Sequence, residues 1–290
     1  MARFAGVYAA LLASRQTDGT LDLASHRQQL AALGRAGLSG FAINGATGEF
    51  TSGTEAELET VLAETRAAAP AAEILCGIGA ADVYGAVRRG RIAARAGAKA
   101  VLLPMPYFFP YRQDDLQAFV LEVASAIELP VLLYNLPQFT SELAVDTVLS
   151  LLEHDNIVGI KDSSGSLDIV RAITEAKLPA ARIIGNDGVL CDAIEQKLCD
   201  SVVSGVACTL PDLMTRIFAS SGEGKDFTEG RALLEEFIEQ LGPLPTPWGL
   251  KVTSAVRGYT RESYPFALSQ EREGEVESLR AWFADWQKNL

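Results

Sequence analysis

A lysine, a tyrosine and a threonine stand where three apolar runs of this chain end, and such a trio can make or break a bond beside a ketone. Lys161 lies in Asn156-Ile157-Val158-Gly159-Ile160-Lys161-Asp162-Ser163-Ser164-Gly165. The apolar, partly β-branched run predicts a buried strand, and the Ser/Gly turn behind it puts Lys161 at the strand's carboxyl end. In α/β proteins that edge is where ligands bind. Apolar surroundings disfavour the charged form of an amine, and a neutral amine can add to a ketone and form a Schiff base. A lysine that merely snorkels to solvent from a strand end is the plainer reading of the same position.

Other predicted strand ends carry complementary groups. Asn44-Gly45-Ala46-Thr47-Gly48-Glu49 is a glycine turn able to aim backbone N–H groups and the Thr47 hydroxyl at an anion. Leu132-Leu133-Tyr134-Asn135-Leu136-Pro137 ends on a phenol able to donate and accept a proton. Gly185-Asn186-Asp187-Gly188 offers a carboxylate, although Asn, Asp and Gly are also ordinary turn residues.

Positioning these groups on one face requires a parallel sheet. Short runs at Gly6–Leu11, Gly40–Ile43, Ile74–Ile78, Ala100–Leu103, Val131–Tyr134, Val158–Lys161, Arg182–Gly185 and Ser201–Ser204 read as strands. Helical spacing fills the intervals, as in Ala24–Arg35, Glu55–Ala68, Tyr84–Ala96 and Asp115–Ile127. Strand–helix alternation predicts βαβ units, and eight of them favour closure into a (β/α)8 TIM barrel over an open doubly wound sheet. Gly37, Gly97 and the break at Leu198-Cys199 are expected to stop helices before the next strand. No GxGxxG follows the first strand, so a dinucleotide fold is not supported. Beyond about Ser220 only helices are expected: Phe227–Leu241, Trp248–Gly258 and Glu273–Trp286. The expected division is a barrel over 1–221 carrying the site and a helical extension over 222–290 packed on it.

Bulk properties bound the function. A net charge of −12 argues against nucleic acid as a partner. No apolar run approaches the ~20 residues of a membrane span, and the first residues do not read as a signal peptide, so a cytoplasmic location is expected. Cys76, Cys191, Cys199 and Cys208 show no CxxC spacing and are expected to be reduced, packed thiols. With only His26 and His154 present, a metal-dependent aldolase is disfavoured and no metal is expected. Both histidines read as structural or solvent-facing, Glu49 as a capping residue, and Arg88, Arg89, Arg91 and Arg95 as a solvated helix face.

Gly45-Ala46-Thr47-Gly48-Glu49, Tyr134-Asn135-Leu136-Pro137 and Gly159-Ile160-Lys161-Asp162, at their mutual spacing, resemble the dihydrodipicolinate synthase / N-acetylneuraminate lyase family of class I aldolases. The resemblance spans nearly the whole chain. It implies a (β/α)8 barrel with extra C-terminal helices, assembled as a homo-oligomer, tetramer or dimer, and working without cofactor. It implies that Lys161 forms an imine with a 2-oxo acid such as pyruvate and that Tyr134 relays protons. Ala46, Thr47 and Gly48 would then hold the substrate carboxylate, with Gly185 and Val203 as further substrate-binding residues. Ser163, Asp187 and Ser204 fall where sugar-acid-cleaving relatives hold hydroxyls.

The chain departs from the synthase proper in three places. Ala46 replaces a hydroxyl-bearing residue of the glycine turn. Phe108, beside Tyr107, aligns with a relay tyrosine contributed by a neighbouring subunit. Gln138-Phe139-Thr140 lacks the arginine that meets the second substrate's carboxylate. These changes disfavour condensation with aspartate semialdehyde, because an anion buried without its cation is costly. Phe108 and Phe139 imply an apolar or adaptable acceptor region. The expected activity is reversible cleavage of a 4-hydroxy-2-oxo acid or 2-oxo-3-deoxy sugar acid to pyruvate and an aldehyde. A dehydratase working through the same imine and a barrel that binds 2-oxo acids without turnover are the alternatives.

Overall fold

The computed structural model describes residues 4–223 and 226–290. Eight strands run in parallel and close on themselves in chain order: β1 (Gly6–Ala10), β2 (Gly40–Ile43), β3 (Glu73–Gly77), β4 (Ala100–Pro104), β5 (Val131–Asn135), β6 (Ile157–Asp162), β7 (Ala181–Ile184) and β8 (Ser201–Ser204). β1 pairs with both β2 and β8, which completes the (β/α)8 barrel. Each strand end lies within one residue of the apolar run that predicted it. At β3 the shift has a cause: polar Glu73 joins the strand because the Tyr8 hydroxyl donates to its carboxylate and Lys99 pairs with it.

Strand alternation divides the core into two shells. Tyr8, Ala10, Ala42, Leu75, Leu102, Leu132, Tyr134, Ile183 and Val203 point inward and fill the barrel. Their neighbours Val7, Phe41, Ile74, Val101, Leu133, Ile160 and Val202 point outward and join the core beneath the helices. Between strands run α1 (Leu23–Leu33), α2 (Glu55–Ala68), α3 (Val83–Arg95), α4 (Gln113–Ala126), α5 (Val145–Leu151), α6 (Asp168–Glu175), α7 (Leu190–Glu195) and α8 (Pro211–Glu223). Asp22, Thr54 and Asp82 cap α1, α2 and α3 with side-chain oxygens, satisfying N–H groups that the first helical turn leaves free.

Gly37 and Gly97 adopt the left-handed conformation expected of them, φ +71° and +69°. The expected break at Leu198-Cys199 comes earlier. α7 stops at Glu195 and the reversal is made by Lys197, at φ +59°.

Three further helices follow: α9 (Thr228–Leu241), α10 (Trp248–Val256) and α11 (Gln270–Trp286). Phe237 of α9 packs on Phe283 and Trp286 of α11, with ring centroids 5.7 and 5.8 Å apart, and all three join the outer core of the barrel. α8 runs through residue 221, where the sequence put the end of the barrel unit. Among the described residues no helix is long and apolar enough to cross a membrane.

Candidate active site

Adjacent parallel strands put Lys161 directly beside Tyr134, for the two are register partners on β6 and β5. Both side chains point into the barrel at its carboxyl-terminal mouth. Lys161 is 4% exposed, and its Nζ lies 4.1 Å from the centre of the Tyr134 ring. The lysine stem passes over Gly185, the residue after β7. A Cβ there would come within 2.7 Å of Lys161 Cε and 2.2 Å of Ser163 Oγ, so only glycine leaves the lysine its path.

A cavity of about 1050 Å³, counted to its open mouth, surrounds this amine. Ala46, Thr47, Tyr134, Phe139, Lys161, Ser163, Gly185, Asp187 and Val203 all line it. Two of these residues carry a buried oxygen with no hydrogen-bond partner among the described residues: Ser163 Oγ and Asp187 Oδ1. Asp187 is half-buried as a residue, yet that carboxylate oxygen is enclosed. Its other oxygen accepts from the Val206 N–H at 3.2 Å. Burial raises the Asp187 carboxyl above the usual carboxylate range, against the pull of the Ser204 hydroxyl, the Val206 N–H and the charge of Lys161.

Three expected binding residues lie elsewhere. Ser204 shares the outward parity of Val202; its Oγ accepts from the Ala207 N–H at 2.9 Å and reaches the cavity only through Asp187. Gly48 faces a smaller pocket behind the glycine turn, together with Ser14, His26 and Glu57. Phe108 is 87% exposed at φ +86° and lines an outer cavity instead.

The glycine turn is held from both ends. Asn44 and Glu49, at φ +59° and +51°, bracket it in the left-handed conformation that non-glycine residues adopt at a cost of about 1 kcal/mol each. Asn44 Nδ2 donates to the Gly77 carbonyl at 2.7 Å. Glu49 Oε2 receives a hydrogen bond from Lys251 Nζ at 2.5 Å, and that amine also donates to the Ser263 carbonyl at 2.8 Å. Lys251 comes from α10 and is 2% exposed. Thr47, itself buried, thus sits on a turn clamped by a C-terminal helix. Glu49, expected to cap, makes no side-chain cap to the short helix Phe50–Ser52 that follows it; its carboxylate is held instead by a lysine 202 residues away.

A second outward pair ties β5 to β6. Asn135 Nδ2 donates to Asp162 Oδ1 at 3.0 Å, while Asn135 Oδ1 accepts from the Leu143 N–H. Burial raises the Asp162 carboxyl, opposed by hydrogen bonds from Ser164 and Asn135.

The C-terminal helices, expected either on the barrel's outside or across one end, supply a roof whose residues the sequence did not single out. Ile238, Leu241 and Leu244, with Thr246 and Leu250, close the cavity from α9, α10 and their connection. The signal was present in Pro243-Leu244-Pro245-Thr246-Pro247, too rigid a stretch for a passive linker. His26 is not solvent-facing: it is 6% exposed, its Nε2 lying 2.8 Å from Thr65 Oγ1 between α1 and α2. His154 is half-buried and accepts at Nδ1 from the Asn156 N–H. Among the described residues no three His, Cys, Asp or Glu side chains converge as a metal-ligand set.

The sequence and the fold can be set against known proteins. Residues 3–278 match the sequence profile of the dihydrodipicolinate synthetase family. A 4-hydroxy-tetrahydrodipicolinate synthase of Methanococcoides burtonii is 27% identical over 267 residues, 89% of this chain and 91% of that protein. An L-threo-3-deoxy-hexylosonate aldolase of Hypocrea jecorina is 30% identical over 237 residues, 76% of this chain and 75% of its own. The solved structure of the 4-hydroxy-tetrahydrodipicolinate synthase of Methylacidiphilum fumariolicum superposes with a TM-score of 0.89 at 25% identity, covering 99% of this chain and 98% of that one. The chain therefore belongs to the dihydrodipicolinate synthetase family, enzymes of the lyase class that act as aldolases by forming a Schiff base with a lysine.

Proposed function

We propose that this protein is a class I aldolase that reversibly cleaves a 4-hydroxy-2-oxo acid, 2-oxo-3-deoxy sugar acids included, to pyruvate and an aldehyde. The observation that carries the reading is the buried Lys161 amine, free of any carboxylate at hydrogen-bond distance among the described residues and lodged against Tyr134 in a cavity that also receives Thr47. Lys161 adds to the 2-oxo carbon, water leaves, and the protonated imine accepts the electron pair released when the C3–C4 bond breaks. Tyr134 takes the C4 hydroxyl proton in cleavage and returns it in synthesis. Thr47 and the N–H groups of the glycine turn hold the substrate carboxylate. Ser163 Oγ and Asp187 Oδ1, both without partners among the described residues, receive substrate hydroxyls. Gly185 and Val203 flank the imine, and Ser204 acts by orienting Asp187.

The relative named as a 3-deoxy-hexylosonate aldolase supports cleavage of a hydroxylated 2-oxo acid. Condensation of the kind named for the synthase relatives is disfavoured by Ala46, Phe108 and Phe139, since no arginine among the described residues lines the cavity. Dehydration through the same imine is the second reading, and the Asp187 carboxyl, raised by burial and with Oδ1 free of a partner among the described residues, favours it as a proton donor to a departing hydroxyl. A barrel that binds a 2-oxo acid without turnover is what remains should chemistry be absent. We assign the working unit to residues 1–221, with 222–290 as its roof, in a cytoplasmic homo-oligomer, dimer or tetramer, without metal or nucleotide.

Intact mass after pyruvate and sodium borohydride, with peptide mapping, tests the reading. A reduced pyruvyl adduct on Lys161 is the expected outcome. A folded protein that gives no adduct with pyruvate or longer 2-oxo acids leaves only the binding barrel.

A further inference from the structure

Lys161 faces into the barrel because β6 breaks its own alternation. Ile157 and Ile160 both join the outer core, although an odd spacing puts two side chains of a regular strand on opposite faces. The break is a β-bulge. Val131 pairs with Ile157, the next residue Leu132 pairs with Gly159, and Val158 is passed over. Val158 packs on the inner cluster, and Gly159 is the register partner of inward-facing Leu132 and Ala181. Two successive residues of β6 therefore take one inward place. Counted from Ile157 without the bulge, Ile160 would turn inward and Lys161 outward, and Lys161 would pair with Asn135 instead of Tyr134.

Glycine lets the bulge sit there. A Cβ on Gly159 would come within 2.4 Å of the Ala181 carbonyl oxygen and 2.7 Å of the Ala181 N and Cβ, on neighbouring β7. Beyond the bulge a side-chain bond marks the shifted register. Asn135 and Asp162 are the partners that follow Tyr134 and Lys161, and Asn135 Nδ2 donates to Asp162 Oδ1 at 3.0 Å. In the unbulged register Asp162 would stand one residue past Asn135 and on the other face, so this bond belongs to one register alone. Asn135 is wholly buried and Asp162 is 3% exposed, so slipping would strand polar groups away from water. The same two residues fix the following turn: Asp162 Oδ1 accepts from the Ser164 N–H at 3.0 Å, and the Ser163 N–H donates to the Asn135 carbonyl at 2.9 Å.

We infer that the Val158-Gly159 bulge and the Asn135–Asp162 bond form one positioning device for the nucleophile. The bulge turns Lys161 onto the inner face, and the buried bond locks that register. None of the four residues lines the cavity, so they act through Lys161 and not on the substrate. The inference rests on the Schiff-base reading above and names what aims its amine.

The test follows the rate at which the full chain gains a pyruvyl adduct on Lys161 under borohydride, per folded protein, with urea midpoints measured alongside. Asn135→Ala and Asp162→Ala are each expected to slow the adduct at least tenfold. The double variant should fall no more than threefold below either single one, since all three lack the same bond. Asp162→Asn keeps an oxygen for Asn135 and Ser164 and should label within threefold of the wild-type rate. A merely structural role would lower the urea midpoint and leave the rate on folded protein unchanged. Gly159→Ala should slow the adduct at least a hundredfold; if it does not fold, the variants of the Asn135–Asp162 bond decide. Wild-type rates in Asn135→Ala or Asp162→Ala overturn the inference, as does a folded Gly159→Ala that labels normally. So do an Asp162→Asn protein as slow as Asp162→Ala and losses that multiply in the double variant. In each of these cases a wild-type adduct leaves the aldolase reading standing, whereas no adduct in the wild type refutes that reading and the positioning device with it.

Discussion

Two lysines are almost wholly buried among the described residues, and they solve the same problem in opposite ways. Lys251, on α10, is surrounded by oxygen: the Glu49 carboxylate and the carbonyl and hydroxyl of Ser263. Burial lowers its pKa, and Glu49 pulls the other way. Lys161, on β6, lies on the face of an aromatic ring at the wall of a cavity, with no carboxylate among the described residues within salt-bridge distance. A buried amine that holds three acceptors has its reactivity spent on structure. One that faces open space and a ring keeps its nitrogen for a ligand. Burial alone therefore does not mark a catalytic lysine; the absence of a carboxylate beside a cavity does.

Removing each amine separates the roles. Lys161→Ala is expected to lower kcat/KM by roughly 10⁴-fold or more while the circular dichroism spectrum stays native, because no other group can form the imine. Borohydride should then label no lysine with pyruvate. Label appearing on Lys251 would break the comparison outright.

Lys251→Met should act on the fold first. It strands the Glu49 carboxylate, which is 15% exposed, without a cation, and breaking a buried pair in this way costs about 3–5 kcal/mol. Urea denaturation reads that loss. The double variant Lys251→Met with Glu49→Gln should recover much of the stability, since no charge is left unpaired. The strained turn between Asn44 and Glu49 loses its clamp in either variant, so KM for pyruvate should rise more than kcat falls. A Lys251→Met protein with wild-type stability would mean that the pair only decorates the turn.

Tyr134→Phe sharpens the Lys161 side. The ring that packs against the amine remains and only the hydroxyl goes, so the adduct should still form. The turnover number should nevertheless fall by roughly 10²–10³-fold, the usual worth of a positioned proton donor. An unchanged kcat would reassign the proton transfer to Asp187 or to water.

The Lys161 side of this comparison was readable along the chain and the Lys251 side was not, for physical reasons. Strands β2 and β4–β6 are unbroken apolar runs because a parallel sheet buried on both faces needs them. A charged residue at the end of such a run is conspicuous. The (β/α)8 barrel, the glycine turn and the Lys161–Tyr134 pair all follow from local patterns of that kind. The Glu49–Lys251 bond spans 202 residues. Nothing local in Trp248-Gly249-Leu250-Lys251 tells a buried lysine from a solvated one. Ser204 could have been placed correctly from strand parity, since it stands two residues from outward-facing Val202. Phe108 could not, because a loop residue at positive φ has no period to read. The prolines of Pro243-Leu244-Pro245-Thr246-Pro247 marked a rigid connection, but which cavity α9 and α10 close needed the tertiary fold.

A third buried group completes the contrast, because His26 has neither carboxylate nor cavity to itself. Its ring lies between α1 and α2 beside Thr65, and burial pushes its pKa down to about 4, opposed weakly by Glu64. The imidazole therefore stays neutral in the folded protein at pH values where the unfolded chain, with an ordinary value near 6.5, takes up a proton. Between pH 6.5 and 4 the unfolded state binds more protons, so stability falls as pH falls through that window and is fully present above it. At about 1.4 kcal/mol per pKa unit the whole window is worth of order 3 kcal/mol, lost at a nearly even rate as pH falls through it, so that only about 1 kcal/mol has gone by pH 6. At pH 6 the effect is therefore smaller than any expected from changing Lys161, Lys251 or Tyr134. Urea midpoints measured from pH 7.5 to 4.5 should slope downward toward acid more steeply in the wild type than in His26→Gln, whose amide can bond to Thr65 without titrating. Equal slopes would show that His26 is protonated in place, and burial without a charged partner would then not have kept this group neutral.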